Sequence, residues 1–207
     1  GVGSLALENT TTGISNTAVG GQALQGNTTG DYNVAMGINA LDKNTTADSN
    51  TGIGAAALAA NTTGASNTAV GRDALGANTT ASWNTAVGAS AGVAITTGND
   101  TTLVGFESGK AITTGSENTA VGYRALLKAT TGGSNVVIGH STGQDITTGT
   151  QNIGIGNLAL LSTTTASNNV AIGHSSLQAN TTGTDNVSVG SHSLDANTTG
   201  SDNTAIG

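Results

Sequence analysis

The sequence predicts an all-β fold, a parallel β-solenoid of twelve turns built on a 17-residue repeat. Three observations predict it. First, the pentapeptide N-T-A-V-G or a close variant recurs at a fixed spacing with no insertion or deletion. Its Asn stands at Asn16, Asn33, Asn50, Asn67 and Asn84, then at Asn118, Asn135, Asn152, Asn169, Asn186 and Asn203, and Thr101 takes that place in the remaining unit. Second, every unit contains one short alternation of β-branched and small residues, which is the pattern of a strand. Third, T-T-G and N-T-A-V-G are poor helix formers, and a unit this short has no room for two helices and two turns. Strands stacked ~4.8 Å apart would make a rod roughly 60 Å long.

The whole span 1–207 reads as a single repeat array. Residues 4–207 divide into the twelve units, and Gly1, Val2 and Gly3 match the tail of a preceding one. Both ends break off in register and neither resembles a cap, so a segment of a longer fibre is expected. Hydrophobic residues are 35 % of the chain and aromatics 2 %, so one unit alone buries too little to fold. Charged residues are 8 % and the net charge is −7. A weakly acidic surface excludes the basic stripe that nucleic acid requires. No apolar stretch approaches a membrane span, and the absence of Cys removes disulfides and thiolate metal sites.

Places in the unit are numbered from the residue after its closing Gly, so that Gly21–Gly37 is one unit. Place 1 carries Phe106, Tyr123 and His140 in successive units. On stacked turns these would touch, forming an exposed or interface stripe. Place 4 is Leu in nine units and Gly at Gly92, Gly109 and Gly143. Those same three units have Ile at place 7 (Ile95, Ile112, Ile146), and no Leu unit does. One core slot filled from either of two places explains this, since cores tolerate exchange at constant volume. Place 7 is Asn in six units, each an N-x-T sequon read as incidental.

Places 8 and 9 are Thr in every unit. Adjacent residues of an extended segment point oppositely, so one column faces out and the other serves as a hydroxyl ladder for turn amides. Place 10 is Gly in nine units and Ala at Ala47, Ala81 and Ala166, a turn that does not demand positive φ. Place 12 holds Tyr32 and Trp83, three turns apart, and two acidic pairs, Asp100 with Glu117 and Asp185 with Asp202. Such pairs read as solvated edges before they read as Ca²⁺ sites. The eleven Asn residues of place 13 form a structural ladder, because stacked side-chain amides bond along the stacking axis.

Places 14 and 16 are β-branched in all units but one (Met36), and share one face of the strand, while place 15, mostly Ala or Gly, faces the other way. Both faces suit burial, yet one coil encloses only one of them. Place 17 is Gly in all twelve units, as positive φ or a close backbone approach would require.

N-T-A-V-G, and the fuller S-N-N-V-A-I-G at Ser167–Gly173, resemble the head repeats of trimeric autotransporter adhesins (the YadA-like head), where a similar motif marks each turn of a left-handed parallel β-roll. Ala57–Gly71 and Ser193–Gly207 resemble still more closely the A-L-x-x-N-T-T-G-x-x-N-T-A-x-G arrays of tail-fibre-domain proteins. The resemblance spans the chain. It implies a left-handed roll, a homotrimeric fibre and an extracellular, cell-surface or virion-surface location.

The function expected is therefore the shaft of an adhesin or tail fibre, with itself as partner and a cell-surface or glycan receptor beyond. The alternative is an ice-binding or other repetitive-surface binder using the Thr-Thr ladder. Phe106, Tyr123, His140 and Trp83 are the candidate surface-binding residues. No nucleophile–base pair or paired carboxylate suggests an enzyme, and no catalytic, cofactor or metal residue is expected. His140 and His174 lie two turns apart and His192 falls one place off their column, which is not a metal-ligand pattern.

Overall fold

The computed structural model describes residues 1–207. It contains twelve three-residue strands, one at places 14–16 of each unit, from β1 (Thr17–Val19) through β6 (Thr102–Val104) to β12 (Thr204–Ile206), and no helix. The strands form one parallel sheet in chain order. The register offset is one unit everywhere: Thr17 pairs with Val34 and Ala18 with Ala35, and at the far end Val189 pairs with Ile206. The architecture is the parallel β-solenoid that the period predicts.

The turns stack as regularly as the strands. Of 139 backbone–backbone hydrogen bonds, 22 belong to the strand ladder and 117 lie outside it. Typical of these, the Leu24 N–H donates to the Ala40 carbonyl and the Gln22 N–H to the Ser4 carbonyl. Besides place 17, three places per turn reach this stacking by adopting positive φ: places 2, 4 and 12, as in Gln22 (60°), Leu24 (52°) and Tyr32 (58°). The sequence points to positive φ at place 17 alone, and most of these other places carry no Gly. A left-handed conformation costs about 1–2 kcal/mol for a residue with Cβ. Full burial of a Leu side chain contributes about 1.5–3 kcal/mol, so at place 4 burial outweighs strain. Place 17 conforms on both counts: Gly20 has φ +132°, and an added Cβ would lie 2.5 Å from the Gly37 carbonyl oxygen.

The core lies inside the coil. Place 15 points inward, so Ala18, Ala35, Ala69 and Ala86 are buried beside the place-4 column Leu24, Leu41, Leu58 and Leu75. So short a turn encloses a narrow lumen. In most turns one Leu or Ile fills it with a small residue opposite, and a second branched residue, Leu103 or Val137, enters only against a place-4 Gly. The β-branched face of the strand, places 14 and 16, is consequently left outside.

The exchange between places 4 and 7 is steric. A Cβ added to Gly109 would lie 2.8 Å from Ile112 Cδ1, and one added to Gly143 would lie 2.9 Å from Ile146 Cδ1. A third place also fills the slot. Leu103 and Val137 are the only bulky apolar residues at place 15, and both press on place-4 glycines. Leu103 Cδ1 would meet a Gly92 Cβ at 2.7 Å, and Val137 Cγ1 a Gly143 Cβ at 2.9 Å.

Candidate functional site

Two columns of Asn occupy the interior. At place 13, Asn33 Oδ1 accepts from the Asn50 N–H (2.9 Å) and Asn33 Nδ2 donates to the Ala47 carbonyl (2.8 Å). The pattern repeats along the rod, and Asn33, Asn50, Asn67, Asn84, Asn118, Asn135, Asn152, Asn169 and Asn186 are buried. Asn16 and Asn203, in the end turns, are partly covered. Place 7 supplies the second column: Asn44 Nδ2 donates to Asn27 Oδ1 (2.9 Å) and to the Ala47 carbonyl (3.0 Å). One place-10 carbonyl thus serves both columns. The sequons belong to this second ladder. Asn27, Asn44, Asn61, Asn78 and Asn180 are fully buried, beyond reach of a glycan in the folded rod.

The two Thr columns part company. At place 8 the hydroxyl donates to the place-8 carbonyl of the next turn, from Thr28 to Thr45 (3.0 Å) through Thr181 to Thr198 (2.9 Å). The acceptors are carbonyls, not the turn amides that the sequence suggests. At place 9 all twelve Thr residues are exposed and no hydroxyl among them makes a hydrogen bond.

The outer face of the sheet is a further regular surface. Place 16 presents Val19, Met36, Ile53, Val87, Val104, Ile138, Ile155 and Ile172 to solvent, and Val19, 38 % exposed, is typical of the column. Place 14 contributes seven Thr residues and five Val or Ile residues beside them. Trp83 and Tyr32 stand on a different edge, at the positive-φ corner of place 12, and are 63 % and 61 % exposed. They are not brought to the place-1 stripe.

That stripe does assemble. Phe106 and Tyr123 stack at 5.6 Å and 14°, and Tyr123 and His140 at 5.0 Å and 15°. Farther along, the His174 and His192 rings meet edge-on at 5.0 Å, although they come from neighbouring places. His192 Nδ1 lies 3.3 Å from Asp195 Oδ2. The acidic residues of place 12 sit among polar neighbours: Ser134 Oγ donates to Glu117 (2.9 Å) and Asn168 Nδ2 to Asp185 (3.1 Å). No three His, Asp or Glu side chains gather where a metal ion could be held.

Beside the aromatic stripe is a feature that the repeat does not announce. Lys110, Arg124 and Lys128, three of the five cationic residues, line one groove of about 540 Å³ whose apolar walls include Val93 and Leu127. Glu107 is held between Lys110 Nζ (2.7 Å) and Arg124 Nε (2.8 Å). The Lys110 bond first, and the Arg124 bond second, keep its carboxyl below the usual carboxylate range. The Arg124 guanidinium also lies 5.1 Å from the Tyr123 ring centre. The available signal is the crowding of cations into residues 110–128 of a chain that has so few.

Compared with known proteins, the chain finds no match among family models, curated proteins or solved structures.

Proposed function

We propose that this rod is the shaft of an extracellular homotrimeric fibre, of the adhesin or tail-fibre kind, whose mechanical role is to hold attachment sites away from a surface. One observation carries the reading: the outer sheet face bears an unbroken outward column of Val, Ile and Met at place 16, with Thr, Val or Ile beside it at place 14. Twelve strands at ~4.8 Å make it about 60 Å long, and the two outward columns stand about 7 Å apart. Exposed apolar patches of more than a few hundred Å² mark interaction surfaces. A long uncovered face of Val, Ile and Thr also invites aggregation unless something covers it. Three copies packed face to axis would bury it with the same residues at every level. The resemblance of N-T-A-V-G to trimeric fibre repeats supports the left-handed roll, the threefold assembly and the exposed location.

The test is the mass of the purified protein in solution, with and without Val104→Lys and Val121→Lys. Both residues lie at place 16 and point outward, so each substitution leaves the coil intact. A trimer that the double substitution converts to monomer is expected, while Thr114→Lys at place 9 leaves the trimer whole. A stable wild-type monomer at high concentration overturns the assembly.

The exposed, unbonded place-9 hydroxyls favour a second reading, a surface that orders water as ice-binding solenoids do. Place 9 is a single file, however, and the outer sheet face sets its Thr residues beside an apolar column. Thermal hysteresis in the monomeric protein would favour this reading over the fibre.

A further inference from the structure

We propose that turns 6 to 8 carry one non-repeating binding site for an acidic saccharide, in the groove between Val93, Lys110, Arg124, Leu127 and Lys128. It rests on the attachment part of the reading above and needs no particular assembly, because none of these residues lies at places 14 or 16. Charge comes first. The chain has net charge −7, yet three of its five cations face this single groove. Its one carboxylate is already engaged, since Glu107 gives one oxygen to Lys110 and the other to Arg124. Donors remain in surplus. The terminal amino groups of Arg124 bond nothing within the chain, and Lys110 uses one of its three protons on Glu107. Lys128 keeps its ammonium 2.8 Å from Asp145 Oδ1 at the rim. With Glu107 and Asp145 set against three cations, the groove keeps one net positive charge and a surplus of N–H donors. Its complement is an anion rich in acceptors.

The floor narrows the class. Val93, Ala94, Ala111 and Leu127 present aliphatic surface, and the Tyr123 ring stands beneath the Arg124 guanidinium at the groove's edge. A sugar ring shows a C–H face to such a floor and directs its carboxylate and hydroxyl groups at the cations. The volume of about 540 Å³ is that of a small-molecule site, and suits a short oligosaccharide segment. Arg and Glu at place 2 and Lys at place 5 occur in no other turn, so the rod holds this cluster once. Glu107 positions rather than binds: it fixes Lys110 and Arg124 as two arms of one clamp.

Calorimetric titration of the full chain tests this with four ligands: a hyaluronan hexasaccharide, neutral maltohexaose, hexaglutamate, and phosphatidylserine vesicles. The acidic saccharide is expected to bind, more weakly as salt rises, and maltohexaose is not. Lys128→Gln, at the exposed rim, and Arg124→Ala should each weaken binding by about tenfold or more, the scale of a lost charge-assisted bond. Arg124→Lys should recover part of it, and Thr63→Ala, on a distant turn, should change nothing. Absence of binding by the folded wild type overturns the site, as does equal binding of maltohexaose. Tighter binding of hexaglutamate or vesicles reassigns the groove to another class and overturns the saccharide. A trimer that binds no saccharide leaves the shaft standing and removes the site, whereas a monomer that binds does the reverse.

Discussion

At the residue scale, one side chain shows what the Asn ladder contributes. Thr101 stands where eleven other turns have Asn, and its hydroxyl reaches only the Asn99 carbonyl. Two groups consequently lose their partners. The Asn118 N–H has no acceptor, although the equivalent Asn135 N–H has Asn118 Oδ1 at 3.1 Å. The buried Gly115 carbonyl receives no side-chain amide, whereas the Gly132 carbonyl accepts from Asn118 Nδ2 at 2.9 Å. An unsatisfied buried polar group costs about 1–3 kcal/mol. Thr101→Asn restores both bonds, and is expected to stabilise the protein by about 1–2 kcal/mol in denaturant titration, a scale set by the same penalty. A neutral or lower midpoint would mean that the gap is already satisfied by water. The positive-φ Leu residues teach a related lesson. Nothing in the identity of Leu24 or Leu75 signals a left-handed backbone, because burial decides their conformation against their own preference.

At the scale of the element, the structural unit is one turn and the slot it shares with the next. Leu75 fills its slot from place 4, and Asn78 in the same turn donates to Asn61 Oδ1 (2.8 Å) and the Ala81 carbonyl (3.0 Å). The next turn has Gly92, Ile95 and Leu103 instead, so the Asn column stops and Asn78 Oδ1 is left unbonded. Place 7 therefore switches here from a hydrogen-bonded column to an apolar plug. Leu75→Gly should cost about 2–5 kcal/mol as a large-to-small core change, reduced by the ~1 kcal/mol or more that Gly saves at positive φ. Asn78→Ile alone should overpack the slot and break two bonds. Combined, they recreate the arrangement of Gly92 and Ile95. The double mutant should be more stable than the sum predicts, by a coupling of about 0.5–3 kcal/mol. Additive effects in the double-mutant cycle would show that the two side chains do not compete for space.

At the scale of the whole molecule, every turn docks on the next with the same register. Stability then accumulates from nearest-neighbour terms. Deleting Ile38–Gly54 removes one complete turn and joins Gly37 to Ala55, which are equivalent ends. The shortened protein should fold, with an unchanged circular dichroism spectrum per residue and a melting temperature close to that of the parent. Deleting only Ile38–Thr45 puts Ser49 where Leu belongs and Leu58 where Asn belongs, and should abolish cooperative melting. If the one-turn deletion fails as badly as the half-turn deletion, the turns are not interchangeable. The single groove at Lys110, Arg124 and Lys128 fits this scheme, because the backbone is carried by inward places while places 2, 5 and 6 change from turn to turn.

The strict period by itself determined the number of turns, the parallel pairing and the register, since an unbroken repeat allows only one way for each unit to match its neighbour. Alternation at places 14–16 determined which residues share a face. Which face turns inward was decided only by the closed coil: the lumen beside Leu24 holds Ala35, and a branched residue takes that place only against a place-4 Gly, as Leu103 and Val137 do. The same closure decided that the place-7 Asn residues are a buried ladder and that Leu103 belongs to the slot of Gly92 and Gly109. Volume inside a closed turn is a property of the entire turn and of the one stacked on it, and no single place in the repeat carries it.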